Sequence, residues 1–364
     1  MASPKALTAP SIIVRTSLAL TILVSALALP SAYGATCPFN IPVVTLPPHA
    51  EGGFSWGAVI RPMGDACVAS IAIEPANEPA WYVAGQNGLY MTKNGGVTWT
   101  HPLSGLAGPL LLVPGSPPLV YVGIANKLYL SRDHGQNWTN IKTFSTTVRS
   151  LLVHGGTLFV GLGWNTHAVP SGVWVSNLGA GLAQFHPFGP GQTGLIVWTL
   201  SRDPLSGTIY AGTEIYDHPQ PYKPPFFRSP NGGVTWLNVA GTLPWHVLVS
   251  AVRPADGYVY ALTEGLGVYG SANQGSTWHP PAAPGALGDS LLMDPSKPTR
   301  LFAGRTKFGN INGGFLVSTN AGSNFGPAGL EGVTVAGLAV NGAATRVYAA
   351  TYASGIYISP VPPP

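Results

Sequence analysis

Charge is what this sequence has least of. Only 8 % of its 364 residues are Asp, Glu, Lys or Arg, 17 basic and 13 acidic, about a third of the share usual in globular proteins. Two of the 17, Lys5 and Arg15, fall in a leader expected to be removed, and the 15 left against 13 acids make no basic field for a nucleic-acid backbone. The 9 histidines lack the spacing of paired metal ligands. No glycine loop of the phosphate-binding kind is present, and no nucleophile motif anchors Ser-His-Asp catalysis. No cofactor and no metal are expected. Beyond the leader, no apolar run reaches the roughly 18 to 20 residues that span a bilayer, so the mature chain should have no membrane span.

What is abundant is turn-forming. The chain has 47 Gly and 36 Pro, which would interrupt any long helix, beside 45 % hydrophobic residues with 10 Trp, 14 Tyr and 12 Phe. The apolar share supplies a core and argues against disorder, and Gly has no triplet period, which excludes collagen. A turn-rich, mostly β protein remains.

The N-terminus reads as a secretory signal. Lys5 and Arg15 precede an apolar stretch from Leu18 to Leu29, and Ala32-Tyr33-Gly34-Ala35 then offers small residues for cleavage after Gly34. The sequence therefore divides into a signal peptide (1–34), an N-terminal segment (35–67), a repeat domain (68–360) and a Pro-rich tail (361–364). A secreted or periplasmic location follows. In an oxidising compartment the two cysteines, Cys37 and Cys67, are expected to form one disulfide, two buried free thiols being the alternative.

Self-similarity organises the rest. An octapeptide of the form Ser/Thr-x-Asx-x-Gly-x-x-aromatic occurs five times: Thr92, Asn94, Gly96, Trp99; Ser131, Asp133, Gly135, Trp138; Ser229, Asn231, Gly233, Trp236; Ser271, Asn273, Gly275, Trp278; and Ser318, Asn320, Gly322, Phe325. A degenerate copy runs from Ser176 to Phe185 and a truncated one begins near Ser359. Successive copies start 39, 45, 53, 42, 47 and 41 residues apart. The chemistry is that of a hairpin turn. The hydroxyl and Asx side chains bond backbone groups, Gly takes a positive φ, and the aromatic enters the next strand with its ring in the core. Catalytic duty for the Asx residues would need carboxylates, and only Asp133 is one.

Before each box lie two strand-like stretches, such as Trp81–Gly85 with Gly88–Met91, preceded by a further apolar strand such as Ser70–Ile73. With the strand after the box this makes four per unit, and four-stranded units of this period are propeller blades. Seven units fit, at 68–105, 106–144, 145–189, 190–241, 242–284, 285–329 and 330–360. The last lacks its outer strand, which Trp56–Ile60 is expected to supply, closing the ring. The fold class expected is all-β, a seven-bladed β-propeller closed by an N-terminal strand.

These boxes resemble those of the Asp-box, or bacterial neuraminidase repeat, propellers, over nearly the whole mature chain. The resemblance implies the fold and leaves function open, because its bearers include sialidases, xyloglucan-cleaving glucanases, sortilin-type receptors and photosystem II assembly factors. A single exported propeller with little else is most similar to the assembly-factor and sortilin types. Of the sialidase motifs, the nearest stretch is Ile60-Arg61-Pro62, in which the order is wrong.

A site is expected on the face opposite the boxes, where the loops between second and third strands emerge. Three of these loops are enlarged and carry charge or aromatic side chains: Trp164, Asn165 and His167 in blade three; Glu214, Tyr216, Asp217, His218, Tyr222 and Lys223 in blade four; Arg305, Lys307 and Phe308 in blade six. This rim is expected to contact a protein or glycan, in a monomer acting as a binding or assembly module. The alternative is a glycoside hydrolase or lyase using Glu214 and Asp217 as its carboxyl pair.

Overall fold

The computed structural model describes residues 50–362 apart from 52, 58–59, 61, 63–66, 76, 164–170, 179–184, 188–194, 216–224, 245–246, 254, 264–266, 283–289, 307–311 and 353. Among the described residues, seven small antiparallel sheets form a ring, beside a two-stranded hairpin of Ala50–Glu51 with Phe54–Ser55. Their inner strands are Val68–Glu74, Ala107–Val113, Val148–His154, Leu195–Arg202, Val247–Val252, Ser290–Met293 and Thr334–Val340, each packed against the next, with the last returning to the first. The protein is a seven-bladed β-propeller. Six blades have four strands in sequential order, and the seventh has three. The outer strands of blades three, four and six, His186–Pro187, Leu237–Asn238 and Gly326–Pro327, are only 2 residues long.

The second strands run apolar on both faces because each sheet is sandwiched between neighbours; Asn77–Gly85 is buried from Ala80 onward and Leu119–Ile124 from Val120 onward. The apolar clusters accordingly lie between blades, one joining Tyr82 and Met91 of blade one to Val120 and Val122 of blade two.

In the five full boxes the hydroxyl of Thr92, Ser131, Ser229, Ser271 or Ser318 accepts from the Gly N–H four residues on at 2.7–2.9 Å. The same hydroxyl donates to the Asx Oδ1, which accepts from the backbone N–H four residues beyond the Asx. The box glycines have φ between +74° and +93°, the left-handed region in which a Cβ is strained. One expectation is corrected. Only Trp278 of the box aromatics is buried in the core, while Trp99, Trp138, Trp236 and Phe325 are half-buried. Each packs on the cluster shared with the preceding blade and keeps part of its ring open to water.

Asp133 differs from the other box Asx residues in being ionisable. Its bonds from the Asn137 backbone N–H, the Asn137 side chain and the Ser131 hydroxyl hold its pKa down to about 2. A depressed folded-state pKa stabilises above the ordinary carboxylate range, and that contribution is lost as pH falls toward the folded value. Asp133→Asn, which copies the four Asn-bearing boxes, should therefore fold normally and lose less stability than the native chain between the ordinary carboxylate range and about pH 2. Thermal melts across that window check this, and parallel curves would count against it.

The ring closes where the sequence indicates. Gly57 N–H donates to Ile358 O at 2.8 Å, and Ile60 and Ile356 exchange both backbone bonds at 2.9 and 2.8 Å. The box-like Ser359 has no turn to hold, and its hydroxyl instead accepts from Ser55 N–H at 2.9 Å. Trp56 is buried against Phe315 with ring centroids 4.8 Å apart, and its Nε1 donates to Ala328 O at 2.8 Å. Cys67, at the start of blade one, is buried. Cys37 lies outside the described residues, as do the signal segment and the end of the tail.

Side chains tie blade seven to blade one on the other side. Glu78 accepts from Asn341, Tyr348 and Arg346. Partial burial alone would raise its pKa, but these bonds and the Arg346 charge outweigh it and lower the value.

Candidate functional site

Each inner strand begins at the mouth opposite the boxes, and there the ladder slips. In six blades the register shifts within the first few residues, so that Ala69, Gly108-Pro109, Arg149, Trp198, Leu248 and Ala336 bulge from the ladder. A bulge re-aims the side chain it carries. Four blades place small or aliphatic residues at this position; blades three and four, adjacent in the ring, place Arg149 and Trp198 there.

These two meet. The Arg149 guanidinium carbon lies 4.8 Å from the Trp198 ring centroid, within the range of a cation–π contact. The Arg149 Nε donates to Gly163 O at 3.1 Å, which fixes the stem against its own blade. Trp198 Nε1 donates to Glu214 Oε2 at 2.9 Å. A buried cation, an aromatic plane and a half-buried carboxylate thus form one contiguous unit at the channel mouth. It is suited to holding a ligand by stacking and by charge-assisted hydrogen bonds.

Around the ring, Arg305 ends the second strand of blade six (Leu301–Arg305), paired with Gly314. Arg305 Nε and Glu331 Oε1 are buried and have no hydrogen-bond partner among the described residues. Two of the rim residues named from sequence, Glu214 and Arg305, are therefore placed at the mouth. The remainder, Trp164, Asn165, His167, Tyr216, Asp217, His218, Tyr222, Lys223, Lys307 and Phe308, lie outside the described residues.

Sequence reading missed Arg149 and Trp198. The signal was available: aligned on the small residue that follows the bulge, the inner strands read Ala69-Ser70, Arg149-Ser150, Trp198-Thr199 and Ala336-Gly337, and the two large side chains stand out.

Several other carboxylates have structural work. Glu74, buried, accepts from the Tyr82 hydroxyl at 2.5 Å and meets His134 of blade two at 3.1 Å. Asp203 holds a turn through Leu205 N–H and the Ser206 hydroxyl, Asp256 pairs with Arg253, and Asp294 pairs with Arg300.

No family model and no curated protein matches the sequence. Solved structures do match. The GH74 xyloglucanase from Xanthomonas campestris superposes with a TM-score of 0.61 at 16 % identity, over 84 % of this chain and 53 % of that one. The likeness is one of fold. The extracellular domain of a hybrid two-component system from B. thetaiotaomicron gives a TM-score of 0.63 at 14 % identity, over 83 % of this chain and 39 % of that one. The chain thus spans about half or less of the length of these proteins. Among the described residues no helix is long and apolar enough to cross a membrane.

Proposed function

We propose that the chain is an exported propeller of the Asp-box type, acting as a binding or assembly module that takes a protein or glycan at the channel mouth of blades three, four and six. The observation that carries this reading is the Arg149–Trp198–Glu214 unit, in which a protein with 8 % charged residues brings a cation and a carboxylate to one indole. Aromatic and Arg anchors in partly buried positions are the usual source of binding energy. Export is supported by the leader pattern. Cleavage after Gly34 and a Cys37–Cys67 bridge belong to the same reading, and the intact mass of the exported chain, before and after reduction, tests both.

A glycan array probed with the native chain tests the ligand class. For any glycan retained, Trp198→Ala and Glu214→Gln should each weaken binding about ten-fold, the loss of one good anchor; unchanged affinities would remove the mouth from the account. A second reading, a glycoside hydrolase using Glu214 and Asp217, draws on the half-buried position of Glu214 beside an aromatic plane. Its mark is release of reducing ends from array glycans in solution by the native chain and none by Glu214→Gln.

A further inference from the structure

A cleft of about 240 Å³ opens between blades five and six, beside the box turn of blade six and away from the channel mouth. One residue beside it breaks the repeat. The position just before the box Ser or Thr holds Met91, Leu130, Val175, Arg228, Val317 or Ile358 in the other blades and Gly270 in blade five. A Cβ on Gly270 would lie 2.2 Å from the Tyr258 hydroxyl oxygen and 2.7 Å from its ring. Gly270 therefore makes the space into which Tyr258 lies.

The floor is fixed from beneath. Tyr258 and the buried Tyr260 have ring centroids 4.9 Å apart, and the Arg253 guanidinium sits 4.8 Å from the Tyr258 ring. Arg253 is engaged by both oxygens of Asp256 at 2.7 and 2.5 Å and donates to the Tyr260 hydroxyl at 3.0 Å. That hydroxyl donates to Ala321 O at 2.9 Å, pinning the box turn of blade six to blade five. The walls are then Tyr258, Tyr269, His279 and Ser323, with the small Gly270 and Gly322 between them. No Asp, Glu, Lys or Arg is among the described residues lining the cleft.

We propose that this cleft is a second binding site, for a single pyranose ring. Phenol rings offer flat apolar faces to the C–H side of a sugar, while phenol, imidazole and serine groups offer donors and acceptors to its hydroxyls. The lack of a lining charge selects against anions and cations. The volume falls below the roughly 300 to 1,000 Å³ of sites for drug-sized ligands, which limits the occupant to one ring or the end of a chain. This site stands on different residues from the mouth, so either can fail alone.

The experiment is a saturation-transfer NMR titration of the full exported chain with the methyl pyranosides of glucose, galactose, mannose and xylose. At least one should bind, and Tyr258→Ala and Tyr269→Ala should each weaken it about five-fold or more, while Leu205→Ala, exposed on a turn of blade four, should leave it unchanged. If Tyr258→Ala disturbs the blade, His279→Ala at the exposed edge carries the same expectation. Failure of all four pyranosides to bind at millimolar concentration overturns the proposal, as does binding that survives the Tyr269 and His279 variants.

Discussion

Trp56→Ala should lower the unfolding free energy by about 3–5 kcal/mol, the range for removing a buried aromatic side chain. Trp56 is 5 % exposed and belongs to a cluster with Phe54, Phe302, Phe315 and Val347. Its loss opens a cavity beneath the segment that closes the ring through the isolated bridge of Ile60 with Ile356, and removes the Nε1 bond to the Ala328 carbonyl. A propeller whose last blade lacks its outer strand exposes an unpaired edge, so the damage extends beyond the cavity. Chemical denaturation of native and variant chains measures the shift. A change below about 1 kcal/mol, the scale of a surface substitution, would mean that Phe54–Ile60 lies on the ring without holding it.

The second large effect is electrostatic. Asp294 and Arg300 are 0 % and 4 % exposed, joined at 2.6 Å. Asp294 also accepts from Ser296 N–H at 2.8 Å, and Arg300 donates to Pro362 O at 2.6 Å, holding the end of the chain to blade six. Removing one member of such a pair leaves a buried charge without compensation and costs about 3–5 kcal/mol, whereas replacing both with apolar groups costs far less. Asp294→Leu and Arg300→Met should therefore each destabilise strongly, and the double variant less than Asp294→Leu alone. A double-mutant cycle on denaturation midpoints reads this directly, and additive losses would show that the pair contributes no coupling.

The parts of this molecule legible in its sequence are those set by local chemistry. The Ser/Thr, Asx and Gly of each box act within a single turn, so their spacing announces the turn, and the period of the turns announces the blades. Trp56–Ile60 was legible for a negative reason: blade seven ends at Pro360 one strand short, and few other segments were free to complete it. Contacts across blades were not legible in this way. Arg149 and Trp198 are 49 positions apart and meet only because a bulge displaces the same position in adjacent inner strands. Asp294 looks like a turn residue beside Pro295 and does cap a turn, but its burial and its partner depend on how the chain end packs over blade six. The box spacing marks its aromatic as a core side chain, whereas four of the five are half-buried, a difference that depends on packing against the preceding blade and not on the box itself.

The proposed protein or glycan partner is received at the channel mouth of blades three, four and six. Photocrosslinking tests it most directly. Benzoylphenylalanine is placed at 198, in the mouth, or at 234, where Val234 is 68 % exposed on a box turn, and the chain is illuminated in the cells that produce it. The account predicts a discrete adduct from position 198 and none from position 234. Adducts from position 234 alone, or from neither position, would contradict it.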